Sequence, residues 1–225
     1  MRPNIAIDGP AGAGKSTVAK KLSQELGYLY IDTGAMYRAV AYYALKEGID
    51  LKSEKALADL VKNLDISLAY DKGNQLRVYC NGTDITDKLR TQIVSQNVSI
   101  VARVPAVRLR LVEIQRKMAA KGGVVMDGRD IGSFVLPDAQ LKLFITASLE
   151  QRTMRRLKEL QAQGYRIDFE ELKQEIKQRD TIDALRKMAP LKKAQDAVTV
   201  DTTNLTVDEA VQHILNIYKE RFGCQ

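Results

Sequence analysis

Residues 4–32 run Asn4-Ile5-Ala6-Ile7-Asp8-Gly9-Pro10-Ala11-Gly12-Ala13-Gly14-Lys15-Ser16-Thr17, then VAKKLSQELG, then Tyr28-Leu29-Tyr30-Ile31-Asp32. The short apolar run from Asn4 to Asp8 predicts a buried strand. Val18, Leu22 and Leu26 recur at spacings of four, which predicts a helix over 14–27. Tyr28–Asp32 predicts a second strand, and helical pattern resumes from Ala35. Strand, loop, helix, strand, helix implies an α/β fold with a central parallel sheet and right-handed crossovers. Residues 9–16 fit the phosphate-binding pattern G-x-x-x-x-G-K-S, and they stand between a predicted strand and a predicted helix. Gly9, Gly12 and Gly14 let backbone N–H groups turn inward around phosphate oxygens, and the helix that follows points its positive end at the anion. Lys15 supplies a flexible charge for the terminal phosphates, and the Ser16 hydroxyl is the expected Mg²⁺ ligand. Such a loop does not name the phosphate acceptor.

Farther along, the pattern changes. Ile66, Leu68 and Tyr70 alternate with polar neighbours, as do Leu76, Val78 and Cys80. Asp71-Lys72-Gly73-Asn74 joins these runs, and Asn81-Gly82 is a tight-hairpin signal. A small antiparallel meander is therefore expected within a subdomain at 63–100, inserted into the parallel chain. Helices are expected over 103–120, 149–163 and 169–186, and strands over 124–127, 141–145 and 198–201. Thr206 and Glu209 have capping-box spacing at the start of a final helix, and His213 is read as a surface residue on it.

Composition narrows the function classes. The chain has 225 residues, 45% hydrophobic and 28% charged, with no Trp. That is ample for one large α/β domain with insertions and too short for three independent domains. No apolar run approaches the roughly 20 residues of a membrane span, and Ile5-Ala6-Ile7 is too short for a signal peptide. Two cysteines, Cys80 and Cys224, form no disulfide framework, so a cytoplasmic protein is expected. A single histidine argues against a His-based metal site or triad. The net charge is 35 − 28 = +7, and residues 88–121, with eight basic groups and one acid, carry 8 − 1 = +7 of it. A basic surface suits nucleic acid, anionic membrane or phosphorylated small molecules, and only motifs separate these.

Transfer of a phosphoryl group between two polyanions needs converging cations. Arg38 and Arg129 follow predicted strand ends, where ligands of parallel sheets bind. Arg152, Arg155 and Arg156 lie within two turns of one helix, and Arg179, Asp183 and Arg186 share a helical face. Asp127 ends an apolar strand. It is either a carboxylate holding Mg²⁺ through water or a cap on the next turn, and both readings stay open.

The stretches GPAGAGKST (9–17), DTGAMYR (32–38), DGRDIGS (127–133), PDA (137–139), RDTIDALR (179–186), APL (189–191) and VDTTNLT (200–206) resemble, in order, those of bacterial cytidylate kinases. That family phosphorylates CMP and dCMP with ATP. The resemblance implies a P-loop three-layer sandwich with a core at 1–62, 101–148 and 187–225, a CMP-binding insertion at 63–100 and a helical lid at 149–186. It implies that Gly9, Pro10, Ala11, Gly12, Ala13, Gly14, Lys15, Ser16 and Thr17 bind ATP phosphates, with Arg152 and Arg156 as further contacts from the lid. It implies that Thr33, Arg38 and Arg129 hold the CMP phosphate, and that Ser99, Arg108 and Asp130 read cytosine. Arg179 and Asp183 would hold the ribose, and Arg186 would bridge base-side and phosphate groups. Lys15, Arg38, Arg129 and Arg186 would carry catalysis, ATP and Mg²⁺ being the donor and its ion. Ser133 stands where the pattern has Thr, keeping the hydroxyl. A monomer without nucleic-acid or membrane partners is expected.

Rival readings make different demands. A kinase of UMP, or of a non-nucleotide hydroxyl, would share the loop. A nucleic-acid-binding protein would use the +7 charge, but no recognition-helix module or aromatic-rich basic surface is evident. No guanine-reading N-K-x-D stretch supports a GTP switch. The N-x-S/T matches at Asn81, Asn97 and Asn204 are read as chance.

Overall fold

The computed structural model describes residues 1–71, 73 and 75–223. In chain order its elements are β1 (Ile5–Asp8), α1 (Lys15–Leu26), β2 (Leu29–Asp32), α2 (Thr33–Lys46), α3 (Glu54–Lys62), β3 (Ile66–Tyr70), β4 (Leu76–Cys80) and β5 (Thr83–Asp84). There follow α4 (Gln92–Val101), α5 (Pro105–Ala119), β6 (Val124–Asp127), β7 (Leu141–Thr146), α6 (Leu149–Ala162), α7 (Phe169–Ala184), β8 (Val198–Asp201) and α8 (Val207–Phe222). Packing divides the chain into two compact units, Met1–Tyr30 with Lys121–Gln225, and Ile31–Ala120. The second unit thus takes in residues 31–62 and 101–120 as well as the meander.

Among the described residues the first unit is organised by a five-stranded sheet of order β2-β6-β1-β7-β8. β1 pairs in parallel with both β6 and β7, and β7 with β8. β1 has parallel neighbours on both sides, and in such a sheet both faces are covered; β1 and its neighbour β6 are buried at every residue. The expected α/β class and parallel sheet are what the structure has. α1 begins and ends as its sequence suggests, with Gly14 and Gly27 as its caps. On α8, Thr206 and Glu209 form the expected capping box, and His213 is exposed. No helix of the described residues is long and apolar enough to cross a membrane.

In the second unit, β3, β4 and β5 form the expected antiparallel meander. Asn81 and Gly82 turn β4 into β5 with φ of 49° and 73°, the left-handed pair that an Asn-Gly hairpin needs. In the preceding turn, Lys72 and Asn74 lie outside the described residues, as does Cys224. Asp71 accepts hydrogen bonds there from the N–H groups of Gly73 and Gln75, both at 2.9 Å. The 63–100 segment is not all meander, because α4 occupies most of its end. Val94, Val98 and Val101 form one buried stripe of α4 within the apolar cluster that also holds Met36, Val40 and Leu111. That burial overrides the weak helix propensity of a β-branched run.

Candidate active site

Asp8 and Asp127 stand in adjacent strands at the carboxyl edge of the first unit's sheet, with Ile7 and Asp127 in register. The phosphate loop leaves that edge at Gly9. A Cβ on Gly9 would stand 1.9 Å from the carbonyl oxygen of Ile145, so only glycine lets the chain turn beside β7. Lys15 is buried and its Nζ donates to the carbonyl of Pro10 at 2.7 Å. Burial lowers its pKa well below the ordinary lysine range, and Arg129 and then Arg179 add repulsion, partly offset by Asp127 and Asp8. An anion beside Lys15 would relieve both effects.

The Ser16 hydroxyl donates to Asp127 Oδ2 at 2.8 Å, and the Tyr30 hydroxyl donates to Oδ1 at 3.0 Å. A buried carboxylate next to a P-loop hydroxyl is a set of hard oxygen donors of the kind that suits Mg²⁺.

Around Lys15 lies a cluster of opposite charges. Arg129 Nε donates to Asp183 Oδ2 at 2.9 Å, and Arg186 Nη1 is 3.7 Å from Asp183 Oδ1. Arg186 Nη2 reaches Asp130 Oδ1 at 3.5 Å and donates to the carbonyl of Ala189 at 2.7 Å. Burial raises the Asp183 pKa, but Arg129, Arg179 and Arg186 together outweigh it and hold the carboxyl below its usual range. The Ala-Pro-Leu turn after α7 closes back on this helix, with Leu191 N–H on the Asp183 carbonyl at 2.8 Å. Arg129, Asp130, Arg179, Asp183 and Arg186 are thus brought together, but α7 ends at Ala184, so Arg186 enters from the turn that follows and not from the helical face expected for it.

The second unit places Thr33, Arg38, Ser99 and Arg108. Asp32 caps α2 by accepting from Ala35 N–H at 2.8 Å, and it also pairs with Arg38 at 3.0 Å. Arg108 is fully buried, donates to the Ala102 carbonyl at 3.2 Å and lies 5.4 Å from the Tyr37 ring centre. Thr33 and Ser99 are buried too.

A family model described as "Cytidylate kinase" matches residues 5–220. The chain belongs to the cytidylate kinase family. It is 54% identical over 213 residues to "Cytidylate kinase" of Pelotomaculum thermopropionicum, covering 95% of this chain and 94% of that one. It is 53% identical over 225 residues to "Cytidylate kinase" of Geobacillus sp. (strain WCH70), covering 99% and 100%. Among solved structures, an uncharacterised protein from Eubacterium ventriosum shares the fold with a TM-score of 0.52 at 16% identity, covering 98% of this chain and 100% of that chain.

In this cytidylate kinase family member the arginines of α6 differ from one another. Arg152 is buried and donates to the carbonyls of Ala147 at 3.1 Å and Ala11 at 2.9 Å, while pairing with Asp180. Arg155 donates to Thr202, whose hydroxyl donates to the Ala13 carbonyl at 3.1 Å. Arg156 pairs with Glu159 at 2.9 Å on the exposed face. α6 and α7 also share more apolar material than their charged sequences suggest. Leu160, Leu172 and Ile176 are buried together with Ala11 of the loop, with Leu157 and Ile167 packed against them.

Reading the residues in order missed Asp8, Tyr30, Asp180 and Thr202. Asp8 is buried and accepts N–H bonds from Ile131 at 2.7 Å and Gly132 at 2.8 Å. Burial nonetheless pushes its pKa up to about 6. The available signal was position, since Asp8 immediately precedes the loop and Asp180 follows Arg179 inside a quoted motif.

Proposed function

We propose that the protein transfers the γ-phosphoryl group of ATP to CMP or dCMP, giving ADP and CDP or dCDP. A phosphate oxygen of the acceptor bonds to the γ-phosphorus as the bond to the β-phosphate oxygen breaks. The acceptor is already an anion, so no general base is required, and catalysis is positioning and charge stabilisation. The observation that carries the reading is Lys15, buried at the base of a P-loop and repelled by Arg129 and Arg179, in a chain of the cytidylate kinase family.

In this reading residues 9–17 cradle the donor phosphates. Ser16 holds Mg²⁺ directly and Asp127 holds it through water, the ion neutralising charge on the donor's phosphates when bound. Thr33, Arg38 and Arg129 take the acceptor phosphate, and Arg179 and Asp183 take the ribose. Arg186 links the base-side and phosphate-side groups, being near both Asp130 and Asp183. Asp130, Arg108 and Ser99 read the base. Cytosine offers an amine where uracil offers a carbonyl, so a carboxylate such as Asp130 accepts from the first and repels the second. The lid at 149–186 closes over the donor, and Arg156 is the α6 arginine left on the exposed face.

A coupled ADP-release assay with ATP, Mg²⁺ and each nucleoside monophosphate tests this. CMP and dCMP should outrun UMP, AMP and GMP by at least about tenfold in kcat/KM. Equal rates with UMP, or no release with CMP, would refute the assignment. Salt-dependent binding to generic duplex DNA would favour the rival nucleic-acid reading.

A further inference from the structure

Ala11 lies in the crown of the phosphate loop, where main-chain groups ordinarily turn toward the nucleotide. Here both of its main-chain polar groups are taken by side chains from elsewhere. Its N–H donates to Asp180 Oδ1 of α7 at 3.0 Å, and its carbonyl accepts from Arg152 Nη1 of α6 at 2.9 Å. The same Arg152 Nη1 also pairs with Asp180 Oδ2. Arg152 is itself oriented by its Nε bond to the Ala147 carbonyl. The neighbouring glycine shows how close this packing is. A Cβ on Gly12 would stand 3.0 Å from the carbonyl oxygen of Arg152 and 3.1 Å from its Cβ. The Ala11 methyl completes the contact by joining the apolar cluster of Leu160, Leu172 and Ile176.

We propose that Arg152 and Asp180 act together as positioning residues, an ion pair that fixes the crown of the phosphate loop from α6 and α7 and so preorganises it for ATP. Arg152 then works through the loop and not as a phosphate ligand. The base of the α6–α7 segment is anchored at Ala11, and closure is left to its far end. This rests on the reading that residues 9–17 hold the donor's phosphates. A loop held in its binding conformation before the ligand arrives loses less freedom on binding.

The test is calorimetric titration of ATP into the full chain and its variants, with Mg²⁺ present and no acceptor. Arg152→Ala and Asp180→Ala should each weaken ATP about tenfold, the loss of one charge-assisted bond. The double variant should be no weaker than the worse single, because the two side chains serve one contact. In steady state Asp180→Ala should raise KM for ATP while kcat and KM for CMP stay within about threefold. Were Asp180→Ala to fold poorly, Asp180→Asn replaces it, with at least about threefold weaker ATP binding expected from loss of the ionic pairing. Parental ATP binding by the Asp180 variants overturns the proposal. So does a pattern in which Arg152→Ala lowers kcat alone, or in which the two losses multiply. A parent that binds ATP without phosphorylating CMP would refute the assigned acceptor while leaving this proposal standing.

Discussion

Arg152 and Arg155 of α6 direct guanidinium N–H groups at main-chain carbonyls, those of Ala147, Ala11 and Thr202, and the carboxylate paired with Arg152, that of Asp180, is itself bonded to the loop at Ala11. Arg129 and Arg186, in the same unit, face the carboxylates of Asp183 and Asp130, and the carbonyls they donate to belong to near neighbours in the chain, Gly128 and Ala189. The two arrangements do different work. A carbonyl offers a fixed partial charge at a fixed place, so an arginine bonded to several carbonyls holds backbone geometry. A carboxylate answers charge with charge, and a phosphate can take its place. Lys15 registers the second arrangement directly. Burial and repulsion from Arg129 and Arg179 hold its pKa low, against the pull of Asp127 and Asp8. The carboxylate-facing group is therefore poised for an anion, and the carbonyl-facing group shapes the loop beside it.

The strongest way to break that contrast is to remove Lys15. Lys15→Ala should lower turnover about a thousandfold, the scale for losing one preorganised charge at the transferring group. ATP binding measured by calorimetry should fall far less, since the charge matters most during transfer. The variant should also melt no lower than the parent, because it removes a buried ammonium that its neighbours repel. Near-normal ADP release by a folded Lys15→Ala protein would end the P-loop assignment.

Asp8 sharpens the contrast from the acidic side, since main-chain N–H groups, not arginines, answer it. Its pKa is raised from 3.8 to about 6, so the folded state holds the proton to higher pH than the unfolded state does. The stability tied to Asp8 is then fully present below about pH 4 and is lost as pH rises through about 6. Two pKa units correspond to about 3 kcal/mol. Denaturant unfolding of the parent and Asp8→Asn should diverge in slope across that window, the variant losing less stability as pH rises. Parallel slopes would show that the carboxyl is ionised throughout.

The sequence made some of this legible and hid the rest for physical reasons. Local patterns such as the G-x-x-x-x-G-K-S loop, the Asn81-Gly82 turn and the Thr206–Glu209 box announce themselves, because the residues that interact are near neighbours in the chain. Asp8 on the 131–132 amides, or Asp180 on Ala11, joins residues 123 and 169 positions apart. Neither has a spacing to betray it. α4 had no expected element within 63–100, because a run rich in Val and Ile has weak helix propensity and only the cluster it packs into decides it. The seam between α6 and α7 escaped because few apolar residues serve both helices, and charged neighbours dominate each sequence window.

The last comparison lies between two consecutive residues, Arg129 and Asp130. Asp130→Asn keeps the size, removes the charge, and leaves an amide that can turn to offer either a donor or an acceptor. Cytosine should lose a charge-assisted bond of about 1.5–3 kcal/mol, whereas uracil should lose a repulsion. The ratio of kcat/KM for CMP over UMP should then fall roughly ten- to a hundredfold. Asp130 also faces Arg186 at 3.5 Å. An effect relayed through Arg186 would slow both substrates alike, so the ratio isolates the contact with the base. Arg129→Ala removes the 2.9 Å partner of Asp183 and one cation assigned to the acceptor phosphate. It should lower kcat/KM for CMP and UMP together, with their ratio unchanged within about threefold. Steady-state ratios for both variants against the parent decide the matter. If Asp130→Asn slows both substrates equally while Arg129→Ala moves the ratio, base and phosphate have been assigned to the wrong neighbours.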